Sequence, residues 1–200
     1  MITATASGFA LGLSLIVAIG AQNAYVLRQG LSSRHVFVIC LICALSDAIL
    51  IAVGVGGFGT LIQQSEVLIG VATWGGAAFL AGYAILSLRR ALAPEALVPT
   101  EADAGPLLPA VGTALALTWL NPHVYLDTVI LLGSLSAGYA GADRIAFGAG
   151  AVVASFAWFF ALGYGARFLT PIFAKPVAWR VLDLIIATVM AAIALSLVLG

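Results

Sequence analysis

Apolar residues run through the chain in long blocks, at 5–27, 35–57, 67–88, 110–136, 145–168 and 178–199. Each block matches the ~20 residues that a helix needs to cross a bilayer. None shows the ~10-residue segments of alternating polarity of a transmembrane β-barrel. The pattern predicts an all-α polytopic membrane protein with six transmembrane helices.

Composition agrees. Of 200 residues, 63% are hydrophobic and 8% charged, and mean hydropathy is +1.17. Soluble domains carry about 25% charge, so a soluble enzyme is excluded. Formal net charge is zero, and no basic patch exists to hold a nucleic acid. Basic residues also orient the spans. Arg28, Arg34, Arg89, Arg90, Arg167, Lys175 and Arg180 fall on one side, with Arg144 alone on the other. The positive-inside rule puts the connections between spans 1–2, 3–4 and 5–6 in the cytoplasm and both termini in the periplasm.

The longest connector, Ala91–Pro109, holds Pro94, Pro99, Pro106 and Pro109 with Glu95, Glu101 and Asp103. It reads as a cytoplasmic linker between a three-helix half at 1–90 and another at 110–200. The halves echo each other. Ser46, Gly54, Gly56 and Phe58 in span 2 answer to Ser155, Gly163, Gly165 and Phe168 in span 5. Asn23-Ala24-Tyr25 in span 1 answers to Asn121-Pro122-His123-Val124-Tyr125 in span 4, and Trp74 to Trp179. With three spans per half, equivalent helices cross in opposite directions, giving two inverted three-helix repeats, a common build of secondary transporters.

Ionisable residues inside spans cost at least ~2.5 kcal/mol and so point to a partner or a task. Asp47 sits in the middle of span 2 with no basic residue within a turn. It is either hydrogen-bonded to a neighbouring helix or faces a cavity holding a cation or a proton. Asp127 follows His123 by four residues, on a face with Trp119 and Ile130. The two form either a structural pair or a proton-linked acid tuned by the imidazole. Pro122 removes a donor, so span 4 should kink or break there. Gln22 and Asn23 either interrupt span 1 or mark an ordinary helix end near the cytoplasmic interface. Broken helices in membranes expose backbone groups to protein or to a cavity. Gln22, Asn23, Tyr25, Asn121, Pro122 and Tyr125 are therefore candidate substrate-binding residues beside Asp47, Asp127 and His123.

Other features read as structural. Asp183, three residues after Arg180, suggests an interfacial ion pair. Tyr139, Tyr164 and Trp179 suit aromatic belts. Gly8, Gly12, Gly54, Gly75 and Gly82 suit close helix packing. Cys40 and Cys43 form a Cys-x-x-Cys in an apolar helix with no nearby cation, which favours two structural thiols over a redox pair. No zinc-ligand pattern accompanies them, and no cofactor or metal is expected.

Two motifs carry a family resemblance. Gly20-Ala21-Gln22-Asn23-Ala24-Tyr25-Val26-Leu27-Arg28-Gln29-Gly30 resembles the first-span signature of the LysE/ArgO family of bacterial lysine and arginine exporters. Thr118-Trp119-Leu120-Asn121-Pro122-His123-Val124-Tyr125-Leu126-Asp127-Thr128 resembles its fourth-span signature, and Ser46-Asp47 its second-span acid. The resemblance covers essentially the whole chain. It implies a proton-driven exporter of basic amino acids in the bacterial inner membrane, with Asp47 and Asp127 as functional acids. Its implied partners are lysine or arginine and protons; the spans imply membrane lipids, and small-residue faces permit a homo-oligomer. The wider superfamily also contains exporters of neutral amino acids and metal ions. Its thiol-electron carriers hold cysteines on spans 1 and 4, where this chain has none.

Overall fold

The computed structural model describes residues 1–17, 20–58, 66–92 and 105–199. Most of the central linker, including Pro94, Glu95, Pro99, Glu101 and Asp103, lies outside them, as do Ala18 and Ile19 of the first span. Every regular element among the described residues is helical. Four helices are long and apolar enough to cross a membrane, and up to six spans are present if each of two sharply bent helix pairs counts as one. The chain is a multi-pass membrane protein.

The first block is divided between α1 (Ile2–Ile16) and α2 (Ala21–Leu31), which meet at 83°. Val36–Val55 forms α3 and Glu66–Leu92 forms α4. The fourth block is divided between α5 (Leu107–Trp119) and α6 (Pro122–Ser136), which meet at 57°. Gly141–Gly165 forms α7, extended by a 3₁₀ turn (Ala166–Leu169) and the short α8 (Thr170–Phe173). The last block is α9 (Pro176–Leu199).

Each break has a local cause. Pro122 has no N–H, and the preceding Asn121 takes the extended backbone (φ −102°, ψ 107°) that a following proline favours. Asn121 Oδ1 then accepts from the His123 N–H at 3.1 Å, capping α6. Beyond it, Tyr125–Leu131 opens into π-helical turns, a distortion frequent at functional sites. At the first break no proline is present. Gly20 is extended (φ −127°, ψ 175°), and the Asn23 amide reaches back to the carbonyl of Ile16 at 2.6 Å. A side chain from α2 thus satisfies the open end of α1.

Packing positions the breaks together. α1 lies along α7, α3 crosses α6 and α7, and α4 lies along α9. Small residues set these approaches, as packing in lipid requires. Gly8 meets the backbone of Phe147, Gly12 meets Ala151, and Gly54 meets Val129 and Gly133. Two expected contacts are displaced. Nothing lies within 4 Å of a Cβ built on Gly82, and Gly76, beside Gly75, is the glycine pressed on the Leu120 backbone. Large side chains such as Phe37, Leu45, Ile49 and Val153 are exposed on the outside of the bundle, as lipid-facing residues of a membrane protein are.

Two charge and aromatic assignments also change. Asp183 does not pair with Arg180. It is buried and receives Arg28 and Arg90, while Arg180 Nε donates to the Ala91 carbonyl at 3.1 Å. Trp179 is buried, with its indole donating to the Phe173 carbonyl at 2.8 Å, and is no belt residue. Tyr164 is exposed as a belt residue would be, whereas Tyr139 stacks on Phe147.

Candidate functional site

The two breaks face one cavity of roughly 270 Å³. Leu15 and Ile16 end α1 there, and Gly20, Ala21, Gln22 and Asn23 begin α2. Asp47 enters from α3, and Asn121, His123, Val124, Asp127 and Thr128 from α6. Phe159 of α7 and Ile193 of α9 close it. Ligand pockets for drug-sized molecules start near 300 Å³, so this volume suits one molecule of amino-acid size.

Both intramembrane acids line this space. Asp47 is 4% exposed, and its Oδ2 accepts from the buried Ser155 hydroxyl at 2.9 Å. Among the described residues it has no ion pair. Asp127 lies on the π-helical stretch, within electrostatic reach of His123. No hydrogen bond or ion pair joins the two among the described residues. Their four-residue spacing places two groups on one face only in a regular α-helix, and the π turns alter it. The same break removes Trp119 from that face, and its indole donates instead to Ser46 Oγ at 3.2 Å.

The amides divide into engaged and available groups. Asn23 donates to Ile16 O and accepts from the Trp158 indole at 3.1 Å. Asn121 caps α6. The start of α2 carries no side-chain cap, and the Gln22 side chain lies against the Cys43 thiol, its buried Nε2 making no other hydrogen bond. Donors at a helix start favour an anion. The cavity therefore offers an anion-seeking end at α2 and two carboxylates elsewhere in its wall.

Tyr25, Pro122 and Tyr125 do not line the cavity. Tyr25 is buried, with its hydroxyl donating to the Ala110 carbonyl at 3.1 Å. Tyr125 donates to the Trp119 carbonyl at 2.8 Å, satisfying the end of α5. Pro122 makes the break. Several residues at the cavity or on Asp47 are not among the expected site residues, Thr128, Ser155, Phe159 and Ile193 among them. Thr128 closes the second signature and Ser155 belongs to the repeat, so both carried a signal. Phe159 and Ile193 are apolar residues in apolar runs and carried none. Cys40 and Cys43 are free and fully buried, with Cys40 Sγ donating to the Phe159 carbonyl at 3.2 Å.

Comparison with known proteins places residues 13–200 in the sequence profile described as LysE type translocator. A putative amino-acid transporter of Mycobacterium tuberculosis is 50% identical over 182 residues, which is 91% of this chain and 90% of that protein. An arginine exporter protein ArgO of Pectobacterium carotovorum is 41% identical over 191 residues, 95% of this chain and 94% of that protein. One of Salmonella enteritidis is 40% identical over 198 residues, covering 98% and 94%. No solved structure matches.

Proposed function

The chain belongs to the LysE type translocator family, and we propose that it exports arginine, and by the same chemistry lysine, from the cytoplasm in exchange for protons. It is an amino-acid exporter by family, and relatives sharing about two-fifths of its sequence are named arginine exporters. The observation that carries the finer reading is the shared cavity of Asp47 and Asp127 at the meeting of two broken spans. A basic amino acid has two cations and one carboxylate. The uncapped start of α2 and the buried Gln22 Nε2 suit the carboxylate. Asp47, which is buried, and Asp127, which is exposed in the cavity wall, suit the two cations, and a neutral amino acid would leave one of the two acids without a partner.

Energetics favour a counter-ion. Moving a net positive charge outward against an inside-negative potential costs ~2.3 kcal/mol per 100 mV. One proton moving inward cancels that charge. Asp47, held by a single hydroxyl, suits a group that binds the substrate cation or a proton in turn. His123 modulates Asp127 from the adjoining turn.

The packing supports two inverted halves, 1–90 and 110–200, joined by the 91–109 linker. Span 1 is bent and lies along α7 of span 5, and span 4 is bent and lies along α3 of span 2. The pairs α3–α7 and α4–α9 relate span 2 to 5 and span 3 to 6. An exchange of halves maps this pattern onto itself, as alternating access between two repeats requires. The charge distribution supports an inner-membrane orientation with both termini periplasmic.

The test is thermal unfolding of the purified protein with arginine, lysine, leucine and manganese ion in turn. Arginine and lysine raise the melting temperature, Asp47→Asn removes the effect, and leucine and manganese have none. Stabilisation by leucine or by manganese alone would move the substrate to a neutral amino acid or a metal.

A further inference from the structure

Three helices bring charged side chains to the end of the bundle that bears the central linker. Arg28 stands in the last turn of α2, Arg90 in the last turn of α4, and Asp183 in the early turns of α9. Asp183 is 4% exposed. Its Oδ1 accepts from Arg28 Nη1 and, at 3.4 Å, from Arg90 Nε. Arg28 lies 5.8 Å over the Trp179 ring, and Arg90 lies 5.5 Å over the Tyr83 ring. Arg90 also donates to the buried Ser87 hydroxyl at 2.7 Å. Two guanidiniums share one carboxylate. Replacing buried ion pairs by apolar residues is often neutral or stabilising, so stability alone does not account for this cluster.

Its position does. Ile193, in the cavity wall, is ten residues beyond Asp183 on α9, so the cluster lies about 15 Å along that helix toward the linker. Arg28 is five residues beyond the cavity residue Asn23 on α2, about 8 Å away. Between the levels sits Tyr25, edge-on to Tyr83 at 6.1 Å and bonded to the Ala110 carbonyl. An aromatic layer and an ionic layer thus lie across α2, α4, α5 and α9 on the linker side of the cavity.

We propose that Arg28, Asp183 and Arg90 form the cytoplasmic gate of the transport path, and that a basic amino acid opens it by exchanging partners. The substrate's side-chain cation takes the Asp183 carboxylate from Arg28, and its α-carboxylate takes the freed guanidinium. Charge is conserved at every contact. A neutral amino acid brings an α-ammonium beside its carboxylate but no side-chain cation, so it cannot take Asp183 at one end while holding the freed guanidinium at the other, and Asp183 stays with its arginines. The gate selects basic amino acids before they reach Asp47. It rests on the export reading for its direction and its substrate, while closure is measurable without transport.

The test uses the full chain in inside-out vesicles, with Cys40→Ala, Cys43→Ala and a reporter Ile193→Cys. A membrane-impermeant cationic thiol reagent is applied from the cytoplasmic side without amino acid. Labelling is slow with the cluster intact and rises about ten-fold in Asp183→Asn and in Arg28→Gln, while Arg28→Lys stays near the parent rate. Should Asp183→Asn fail to fold, Arg28→Gln, which leaves Asp183 paired with Arg90, carries the test. Parent rates in both neutralised variants would overturn the gate. The exchange step is read in an added Asp47→Asn background, where arginine speeds labelling and leucine does not. Equal rates with the two would overturn the exchange. A rate lowered by arginine would show that the cavity holds arginine without Asp47, which removes the proposed role of Asp47 and leaves the gate to the amino-acid-free rates.

Discussion

Gly54→Ala tests whether backbone contact between α3 and α6 holds the site. A Cβ at Gly54 would lie 2.6 Å from the Val129 carbonyl oxygen, 2.9 Å from Val129 Cα and 3.0 Å from the Thr128 carbonyl oxygen, where 3.4 Å begins ordinary contact. All three are backbone atoms, so no rotamer change relieves the overlap. The helices must part by about 0.8 Å at the oxygen, the difference between 3.4 and 2.6 Å. Gly133, on the same α6 face, presses back on Gly54, so α6 cannot pivot freely. Overpacking of this kind costs ~1–3 kcal/mol. The shift falls on residues adjoining Asp127 and Thr128, and misplacement near 1 Å at a working site costs up to ~10²-fold in rate. Thermal unfolding in detergent and initial-rate amino-acid exchange in proteoliposomes read the two effects. Gly82→Ala is the control, because nothing lies within 4 Å of its Cβ. Its expected effect is neutral or a gain of up to ~1 kcal/mol from helix propensity. If Gly54→Ala matches Gly82→Ala in melting temperature and in rate, the tight α3–α6 contact does not position the site.

Three further outcomes follow from the same geometry. Asn23→Ala leaves the Ile16 carbonyl and the Trp158 indole without their shared partner, and should cost ~1–3 kcal/mol in thermal unfolding, with Trp158→Phe costing less. Ser155→Ala removes the hydroxyl on Asp47 and should weaken arginine binding by roughly ten-fold, equal to 1.4 kcal/mol, while Ser155→Thr restores it in the same titration. Tyr125→Phe frees the Trp119 carbonyl at the second break and should lower the melting temperature while leaving arginine affinity within about two-fold, since Tyr125 is outside the cavity; the scale for such a lost bond is ~1 kcal/mol.

The legible parts of this protein are those whose cause is local. Pro122 announces its break because a missing N–H acts within one turn. Asp47 and Asp127 stand out because a lone carboxylate in an apolar run has few explanations. The break at Gly20 was visible only as a polar interruption, since its cause is the reach of the Asn23 amide back to Ile16. What stayed hidden depends on distant partners. Ser155 meets Asp47 across 108 residues, and Arg28 meets Asp183 across 155. Arg180, three residues from Asp183, was the nearer partner in sequence, yet helix packing gives Asp183 to α2 and α4. Phe159 and Ile193 could not be told from lipid-facing neighbours, because each sits in a wholly apolar stretch, 156–162 of α7 and 189–195 of α9.

The central claim is that Asp47 and Asp127 line the path of a basic amino acid moved against protons. The most direct measurement is exchange of labelled arginine and lysine in tight proteoliposomes, with and without an imposed pH gradient. Transport of at least one of them is expected, accelerated by inward protons and lost in Asp47→Asn. Full transport in both Asp47→Asn and Asp127→Asn, or no exchange of either amino acid by the folded protein, would contradict it.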